Sequence, residues 1–166
     1  ALFGIVQGGT DPGLRAESAD AMVALEFDGY AIGGLSVGET KDRMALALDA
    51  AIDRLPRDRV RYLMGVGTPE DFELATARGV DLFDCVTPTR HGRNHEAFTR
   101  DGTLKLRNAR FAEDDGPLDP SCRCEPCAFA SRAYLRHLAM SDEMLGGILL
   151  SIHNIHYFQD LMREIR

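Results

Sequence analysis

Residues 2–34 read LFGIVQGGTDPGLRAESADAMVALEFDGYAIGG, and this stretch decides the fold. It contains two short apolar runs, residues 2–6 and 30–32, and each run is followed by a pair of glycines. Between the runs, apolar residues recur at helical spacing after a proline. The pattern predicts a strand, a crossover helix and a second strand, which is the unit of a parallel sheet covered by helices.

The same unit repeats further along the chain. Helical patterns cover residues 41–55 and 69–78, and apolar runs cover residues 60–66 and 80–86. We therefore expect residues 1–86 to form four units of an α/β fold, either an open sheet or part of a (β/α)8 barrel. Four parallel strands would leave both sheet edges unpaired, which favours a half barrel completed by further strands.

The alternation of strands and helices stops after residue 86. Residues 87–128 are expected to be an inserted segment that holds a basic loop, a hairpin of residues 97–99 and 103–106, and a group of cysteines. Helical patterns return in residues 129–166, where Ser141 is expected to cap a final helix that runs to the end. The sequence therefore divides into three parts.

Composition excludes several classes of protein. Of the 166 residues, 45% are hydrophobic and 27% are charged, as in soluble globular proteins. No apolar run is long enough for a membrane-spanning helix, so we expect no membrane partner. The chain opens ALFGIVQGGT, without an initiator methionine or a signal peptide, and we expect it to be a piece of a longer protein. An unpaired cysteine in an apolar run, Cys85, suits a reducing compartment, and we expect a cytoplasmic protein.

Charge is distributed unevenly along the chain. The net charge is −7, which disfavours a protein that coats nucleic acid indiscriminately. Residues 87–110 nevertheless carry six Lys or Arg and two acidic residues, a balance of +4 that leaves −11 on the other 142 residues. Such a basic run is either a solvated loop or a segment that contacts a polyanion.

A metal site is indicated by three cysteines within six residues, Cys122, Cys124 and Cys127. Their spacing is poor for disulfides but supplies three soft ligands for one tetrahedral ion. A histidine would complete a Cys3His zinc site without an open position, so the ion would be structural. Spacing leaves the choice of histidine open among the five in the chain, which are His91, His95, His137, His153 and His156.

Residues that could carry chemistry follow the strands. In parallel α/β folds ligands bind at the carboxyl ends of the strands. Those ends hold Gln7, Gly33-Gly34-Leu35, Met64 and Asp84. A carboxamide, exposed backbone amides and a thioether could bind a flat heterocycle by its edge and face. Asp84 could attack a glycosidic carbon and form a covalent intermediate, or it could be a structural acid that caps the following loop.

Six short motifs together resemble one known family. They are FGIVQGG (residues 3–9), GGLSVGE (33–39), YLMGVG (62–67), FDCVTPTR (83–90), the three cysteines and IHN (152–154). In this combination and order they resemble the C-terminal half of the tRNA-guanine transglycosylases. The resemblance implies a (β/α)8 barrel, or TIM barrel, with a zinc-binding subdomain inserted near its end. Such enzymes exchange guanine at the wobble anticodon position (34) of tRNA for a 7-deazaguanine, in queuosine biosynthesis.

The resemblance implies a role for each motif. Asp84 would be the nucleophile that forms a covalent aspartyl-ribose intermediate. Six residues would hold the base, namely Gln7, Gly33, Gly34, Leu35, Glu39 and Met64. Twelve residues would contact the RNA, namely Gly65, Val66, Gly67, Thr68, Pro69, Glu70, Asp71, Thr89, Arg90, His91, Gly92 and Arg93. One structural Zn2+ per chain would be held by Cys122, Cys124, Cys127 and His153.

The resemblance also implies partners for the protein. Val37 is typical of bacterial members, so the incoming base that replaces guanine would be preQ1. The protein would be a homodimer that binds tRNA with guanine at position 34, and the helix around Tyr134 and His137 resembles part of the dimer face. The N-terminal half of the family, with its acid/base aspartate, is absent from these 166 residues. We therefore expect the chain alone to be inactive and poorly soluble.

Two other interpretations stay open. A non-catalytic, zinc-containing RNA-binding subunit of the same family would keep the zinc fold and the basic loop. The presence of both Asp84 and Gln7 argues against it, because binding alone needs no nucleophile. A metal-dependent barrel hydrolase would need metal ligands at the strand ends, where the sequence has one acid and no histidine.

Overall fold

The computed structural model describes residues 1–165, and they form two compact units. The first unit comprises Ala1–Cys85, and the second begins at Val86. Among residues 1–165, none of the helices is both long and apolar enough to span a membrane.

The first unit alternates strands and helices, as the apolar runs predict. All its strands are parallel, in one sheet of order β1-β2-β3-β4. The elements are β1 (Phe3–Val6), α1 (Pro12–Val23), β2 (Gly29–Ile32), α2 (Lys41–Ile52), β3 (Val60–Leu63), α3 (Pro69–Thr76) and β4 (Leu82–Phe83). The predicted α/β class with a parallel sheet is therefore confirmed.

Each helix of this unit begins at a capping residue soon after a strand ends. The Asp11 side chain accepts a hydrogen bond from the Leu14 N–H at the start of α1, where Pro12 occupies the first turn. At the start of α3 the Asp71 carboxylate accepts from the Thr68 N–H, at 2.8 Å. These caps fix where each loop turns into a helix, and so they set the lengths of the loops at the strand ends.

The core of the first unit lies between the sheet and its helices. Val6, Ile32 and Leu63, the last residues of β1, β2 and β3, are fully buried. They pack in one cluster with apolar residues of α2 such as Leu48. Burial of these aliphatic side chains holds the strand ends in a fixed row.

The fourth strand is shorter than predicted. The apolar run predicts a strand over residues 80–86, but β4 covers only Leu82–Phe83, which pair with β3. Asp84 follows the last pair of this ladder, and its carboxylate accepts hydrogen bonds from β3 and from the loop that follows β3. Sequence periodicity misses this end, since the side-chain partners of Asp84 come from another strand.

The second unit consists of an antiparallel hairpin and several helices. Its core includes Ala97, Leu106, Leu118, Leu135 and Leu150, all fully buried. The predicted hairpin is confirmed, because two adjacent strands pair antiparallel in this region. The elements are α4 (Thr87–Arg93), β5 (Glu96–Thr99), β6 (Gly102–Lys105), a 3-10 turn (Ala109–Phe111), α5 (Glu125–Phe129), α6 (Arg132–Met140) and α7 (Met144–Ile165).

Two details of the second unit differ from the prediction. Residues 87–93, which lie in the segment expected to hold a basic loop, are helical, with Pro88 in the first turn, where the missing N–H costs nothing. Ser141 does not cap the last helix but ends α6, where its N–H bonds to the His137 carbonyl. Asp142 then takes a left-handed conformation (φ 52°) that reverses the chain before α7.

Candidate active site and metal centre

The parallel register places four candidate residues in one row. Val6, Ile32, Leu63 and Phe83 are aligned across the four strands. The residues that follow them are the candidates Gln7, Gly33, Met64 and Asp84. This row lies at the carboxyl ends of the strands, where parallel sheets bind ligands.

Asp84 is exposed, and one of its two oxygens is firmly held. Oδ1 accepts hydrogen bonds from the Tyr62 hydroxyl at 2.6 Å and from the Gly65 N–H at 2.8 Å. Neither of these two hydrogen bonds involves Oδ2. The Tyr62 hydroxyl, and then the Gly65 N–H, hold the pKa of Asp84 below its usual value, and the carboxylate raises the pKa of Tyr62 to about 12. The site therefore carries an exposed carboxylate that is ionised at neutral pH and whose Oδ2 is not bonded to Tyr62 or Gly65.

The side chain of Gln7 lies against the backbone of Gly33 and Gly34. A Cβ added to Gly33 would lie 2.7 Å from Gln7 Nε2, and one added to Gly34 would lie 2.7 Å from Gln7 Oε1. Gly34 also has a φ of +66°, which strongly favours glycine. The pair of glycines thus leaves the room that the carboxamide occupies beside the strand end.

A tight loop follows these glycines and is held by Glu39. The Glu39 carboxylate accepts from the N–H groups of Ser36 and Val37, the latter at 2.9 Å. Burial raises the pKa of Glu39, but backbone hydrogen bonds outweigh it and keep the pKa below its usual value. Leu35 is buried beneath the loop, and Val37 is exposed on it.

The segment from Gly65 to Asp71, which comprises the loop before α3 and the first turn of that helix, has an exposed and a buried side. Gly65, Thr68 and Glu70 are exposed, whereas Val66 and Asp71 are buried. The Asp71 carboxylate caps α3 and pairs with the ammonium of Lys41. Among the residues expected at an RNA surface, the structure therefore places the Val66 and Asp71 side chains beneath the loop. Gly67 and Pro69 are half-buried within it.

Helix α4 carries the other segment expected at an RNA surface. Arg90 and Arg93 are exposed, and Thr89 is half-buried. A ring nitrogen of His91 lies 2.6 Å from a carboxylate oxygen of Glu96. Gly92 is buried against α7, and a Cβ there would lie 2.5 Å from the hydroxyl oxygen of Ser151. Helix α4 therefore offers two arginines to solvent and packs its glycine inward.

Three cysteines and one histidine converge in the second unit. The ligand atoms of Cys122, Cys124, Cys127 and His153 all lie within 4.8 Å of one another. His153 Nδ1 is 3.7, 3.3 and 3.4 Å from the three sulfurs in that order. The structure thus brings His153, rather than another histidine, to the cysteines, and the group could hold a metal ion.

The surroundings of this cluster fit a metal centre. His153 is fully buried, and its Nε2 lies 2.7 Å from the Phe98 carbonyl oxygen, so Nδ1 is turned toward the sulfurs. The contact between Cys124 and Cys127 lowers the pKa of the Cys127 thiol and raises that of Cys124. Cysteine sulfurs together with an imidazole nitrogen form the donor set that a soft or borderline cation prefers.

Three residues shape these sites although the sequence alone does not indicate their roles. Tyr62 lies within a quoted motif, but a strand pattern does not say which carboxylate a tyrosine will reach. Asn154 is buried, and its side chain bonds to the Phe98 N–H and to the Pro88 and Glu96 carbonyls, which ties α7 to α4 and β5. Arg15 is buried beneath the Gly33-Gly34 turn. A helical arginine usually projects into solvent, so its sequence position carries no signal.

Comparison with known proteins agrees with the sequence motifs. The family described as queuine tRNA-ribosyltransferase matches residues 1–166. Proteins named queuine tRNA-ribosyltransferase are 58% identical in Sphingopyxis alaskensis, and 59% identical in both Methylibium petroleiphilum and Novosphingobium aromaticivorans. Each match covers all of this chain and 44% of the relative, so the chain spans less than half the length of these relatives. The resemblance inferred from the motifs is confirmed, and the chain belongs to the queuine tRNA-ribosyltransferase family.

Proposed function

We propose that the full-length protein containing this chain exchanges guanine at position 34 of tRNA for preQ1, through a covalent link to Asp84. The observation that carries the proposal is the exposed, ionised Asp84 carboxylate, whose Oδ1 is bonded to Tyr62 and Gly65 while neither of them bonds to Oδ2. It lies in the same row of strand ends as Gln7 and Gly33, which can hold a base. The whole enzyme is thus a pentosyltransferase that acts in queuosine biosynthesis.

The reaction uses the second oxygen of Asp84, Oδ2, which Tyr62 and Gly65 do not bind. Oδ2 attacks the ribose C1′ of the target nucleotide, the C1′–N9 bond breaks, and guanine leaves with that electron pair and takes up a proton. The incoming base then attacks C1′ through its own ring nitrogen, releases a proton and displaces the carboxylate. Tyr62 and Gly65 hold Oδ1 through both steps, so the carboxylate keeps its orientation.

The base is held by the residues around the strand ends. The Gln7 carboxamide and the Gly34 N–H bind the polar edge of the heterocycle, and Met64 packs against its face. Gly33 gives space to Gln7, while Leu35 and Glu39 hold the loop that carries Val37. We assign preQ1 as the incoming base because Val37 matches the bacterial pattern.

The RNA contacts are assigned to residues 65–71 and 89–93. Their exposed members, including Thr68, Arg90 and Arg93, contact phosphates or bases around the target nucleotide. The buried members act by fixing the backbone, as Asp71 does by capping α3. The local excess of positive charge in residues 87–110 supports this assignment in a chain of net charge −7.

The cysteine cluster is proposed to bind one structural Zn2+. Cys122, Cys124, Cys127 and His153 supply a full tetrahedral set and leave no position for a substrate. When bound, zinc would crosslink the loop of the cysteines to α7. This closed donor set supports a structural ion and disfavours a metal-dependent hydrolase.

The rest of the protein is proposed from the family. Residues 1–86 would form half of a TIM barrel, and the edge strands β1 and β4 would pair with strands outside this chain. Residues 87–128 would be the zinc-binding insertion, and 129–166 the helices that complete it. The whole protein would be a cytoplasmic homodimer with Tyr134 and His137 near the dimer face, and the chain alone would be inactive.

Base exchange by the full-length protein tests the proposal. The protein is incubated with tRNA that carries guanine at position 34 and with radiolabelled guanine, and the label in the tRNA is counted. A tRNA with adenine at position 34 is the matched control. We expect label only in the first tRNA. Bound tRNA and zinc without any incorporated label would favour the non-catalytic RNA-binding subunit.

We predict that Tyr62→Phe moves the acid limb of the pH–rate profile to higher pH. The Tyr62 hydroxyl holds the pKa of Asp84 down, so its removal raises that pKa and Asp84 is protonated at a higher pH as the solution is acidified. We also expect kcat/KM at pH 7 to fall about tenfold, because one charge-assisted hydrogen bond is lost. Tyr30→Phe removes the same atom from β2 and should leave the profile unchanged. An unshifted acid limb in Tyr62→Phe would contradict the assignment.

We predict that Arg90→Ala weakens tRNA binding and makes it less dependent on salt. Each phosphate contact that is lost lowers the slope of log K against log salt concentration by about 1. The measurement is the tRNA dissociation constant at several salt concentrations. Arg163→Ala, which removes an arginine paired with Asp160 in α7, is the control of equal charge. If the slopes of log K against log salt concentration were equal for the two variants, Arg90 would not contact the tRNA phosphates.

A further inference from the structure

Arg15 is a buried arginine that ties two strand ends together. Its side chain is fully buried, and within residues 1–165 its guanidinium donates only to backbone carbonyls. Nε bonds to Gly9 O at 2.8 Å, and Nη1 bonds to Gly33 O at 2.7 Å and more weakly to Val6 O at 3.4 Å. Nη2 bonds to Gly34 O at 3.2 Å. One planar group thus contacts the loops after both β1 and β2.

These bonds determine where two backbone N–H groups point. In a trans peptide the N–H points away from the C=O. Because the carbonyls of Gly33 and Gly34 are turned toward Arg15, the N–H groups of Gly34 and Leu35 are turned away from it. Neither N–H donates to any of residues 1–165. The guanidinium therefore presents two neighbouring free donors beside the Gln7 carboxamide.

The charge of Arg15 strengthens these donors. A cation bound to a carbonyl polarises the peptide, so the N–H of the same peptide becomes a better donor. Glu39 is the acid whose charge acts on Arg15, and its carboxylate is already occupied by Ser36 and Val37. The positive charge is thus directed to the carbonyls of the strand ends. An electron-rich oxygen on a heterocyclic base is the complementary acceptor.

We propose that Arg15 is a positioning residue for base recognition, which holds the Gly33–Gly34 and Gly34–Leu35 peptides so that their N–H groups face a carbonyl oxygen of the base. The inference rests on the proposed function. It requires an arginine, because the planar fork reaches carbonyls on two loops at once, whereas a lysine has a single nitrogen on a flexible stem. Arg15→Lys keeps the positive charge but loses the planar group with several N–H donors.

The test compares KM values in the full-length protein. For Arg15→Lys we expect KM for guanine to rise about tenfold or more, since one well-aligned hydrogen bond to the base is worth about that factor. KM for tRNA should stay within about twofold, because phosphate contacts dominate tRNA binding. Arg61→Lys is the matched control, since Arg61 is also buried in the first unit but lies near the amino end of β3, beside Gly79.

Each outcome decides the proposal. If Arg15→Lys has a lower kcat but an unchanged KM for guanine, the substitution has only reduced the amount of active protein. Arg15 would then have a structural role alone, and the proposal would be overturned. Arg15→Gln, which keeps a planar donor without the charge, is measured as well. It provides the test if Arg15→Lys does not fold. Thermal unfolding of every variant separates stability from KM. A wild-type protein without base exchange would instead overturn the proposed function, and this role with it.

Discussion

Asp84→Asn in the full-length protein is expected to lower guanine exchange by about 10,000-fold, because removal of a covalent nucleophile is among the largest single-residue effects in enzymes. The amide keeps an oxygen that can accept from Tyr62 and Gly65, so the local structure should persist. It has no free anionic oxygen to attack C1′. The measurement is radiolabelled guanine in tRNA under single-turnover conditions.

The control for Asp84→Asn lies three residues earlier in the chain. Asp81 precedes β4, and its carboxylate accepts from the Arg61 N–H at 2.9 Å. Asp81→Asn keeps an acceptor there and should leave exchange within about twofold. A covalent protein–tRNA complex that resists denaturation should form with the wild type and with Asp81→Asn, and should be missing with Asp84→Asn. If guanine exchange persisted in Asp84→Asn, Asp84 could not be the nucleophile.

The row of strand-end residues could be predicted because it depends on local patterns. Each apolar run marks a strand, and parallel strands must place the residues after them at the same edge of the sheet. The apolar runs therefore predict that Gln7, Gly33, Met64 and Asp84 lie together at this edge. The register Val6–Ile32–Leu63–Phe83 supplies the alignment that periodicity cannot.

The contacts that tune these residues could not be predicted, because their partners are set by the fold. The partner of Asp84 is a tyrosine 22 residues earlier, and Arg15 binds carbonyls, which every residue has and no pattern distinguishes. Helix α4 lies where the sequence predicts a basic loop within residues 87–128, and neither Pro88 nor Gly92 prevents the helix. Here Pro88 occupies the first turn, and Gly92 permits close packing on Ser151.

The metal ligands show how much of a metal site the spacing of residues in the sequence can predict. Three cysteines within six residues indicate a metal site, since the chain alone keeps them close. Spacing does not determine which histidine is the fourth ligand, and only the family resemblance indicates His153. The structure places that side chain against the sulfurs because α7 packs on α5, and because the Phe98 carbonyl orients the ring. Long-range ligands come from tertiary packing, which periodicity does not encode.

Cys124→Ser is expected to abolish stoichiometric zinc binding by the full-length protein and to lower its free energy of unfolding by more than about 4 kcal/mol. A structural zinc site contributes its binding energy to folding, and loss of a metal is one of the few changes that destabilise a protein this much. Cys124 is the most buried of the three cysteines, so an unpaired hydroxyl would remain in its place. The measurements are zinc per chain and thermal unfolding.

The fourth cysteine offers the control for this experiment. Cys85 lies outside the cluster, where its thiol contacts the Gly67 carbonyl at 3.4 Å, and Cys85→Ser keeps a donor there. We expect it to retain one zinc per chain and to unfold close to the wild-type temperature. If Cys124→Ser lost catalysis while its unfolding stayed that of the wild type, the ion would be catalytic, and the hydrolase interpretation would return. Parallel loss of zinc and stability is what a crosslink between the cysteine loop and α7 requires.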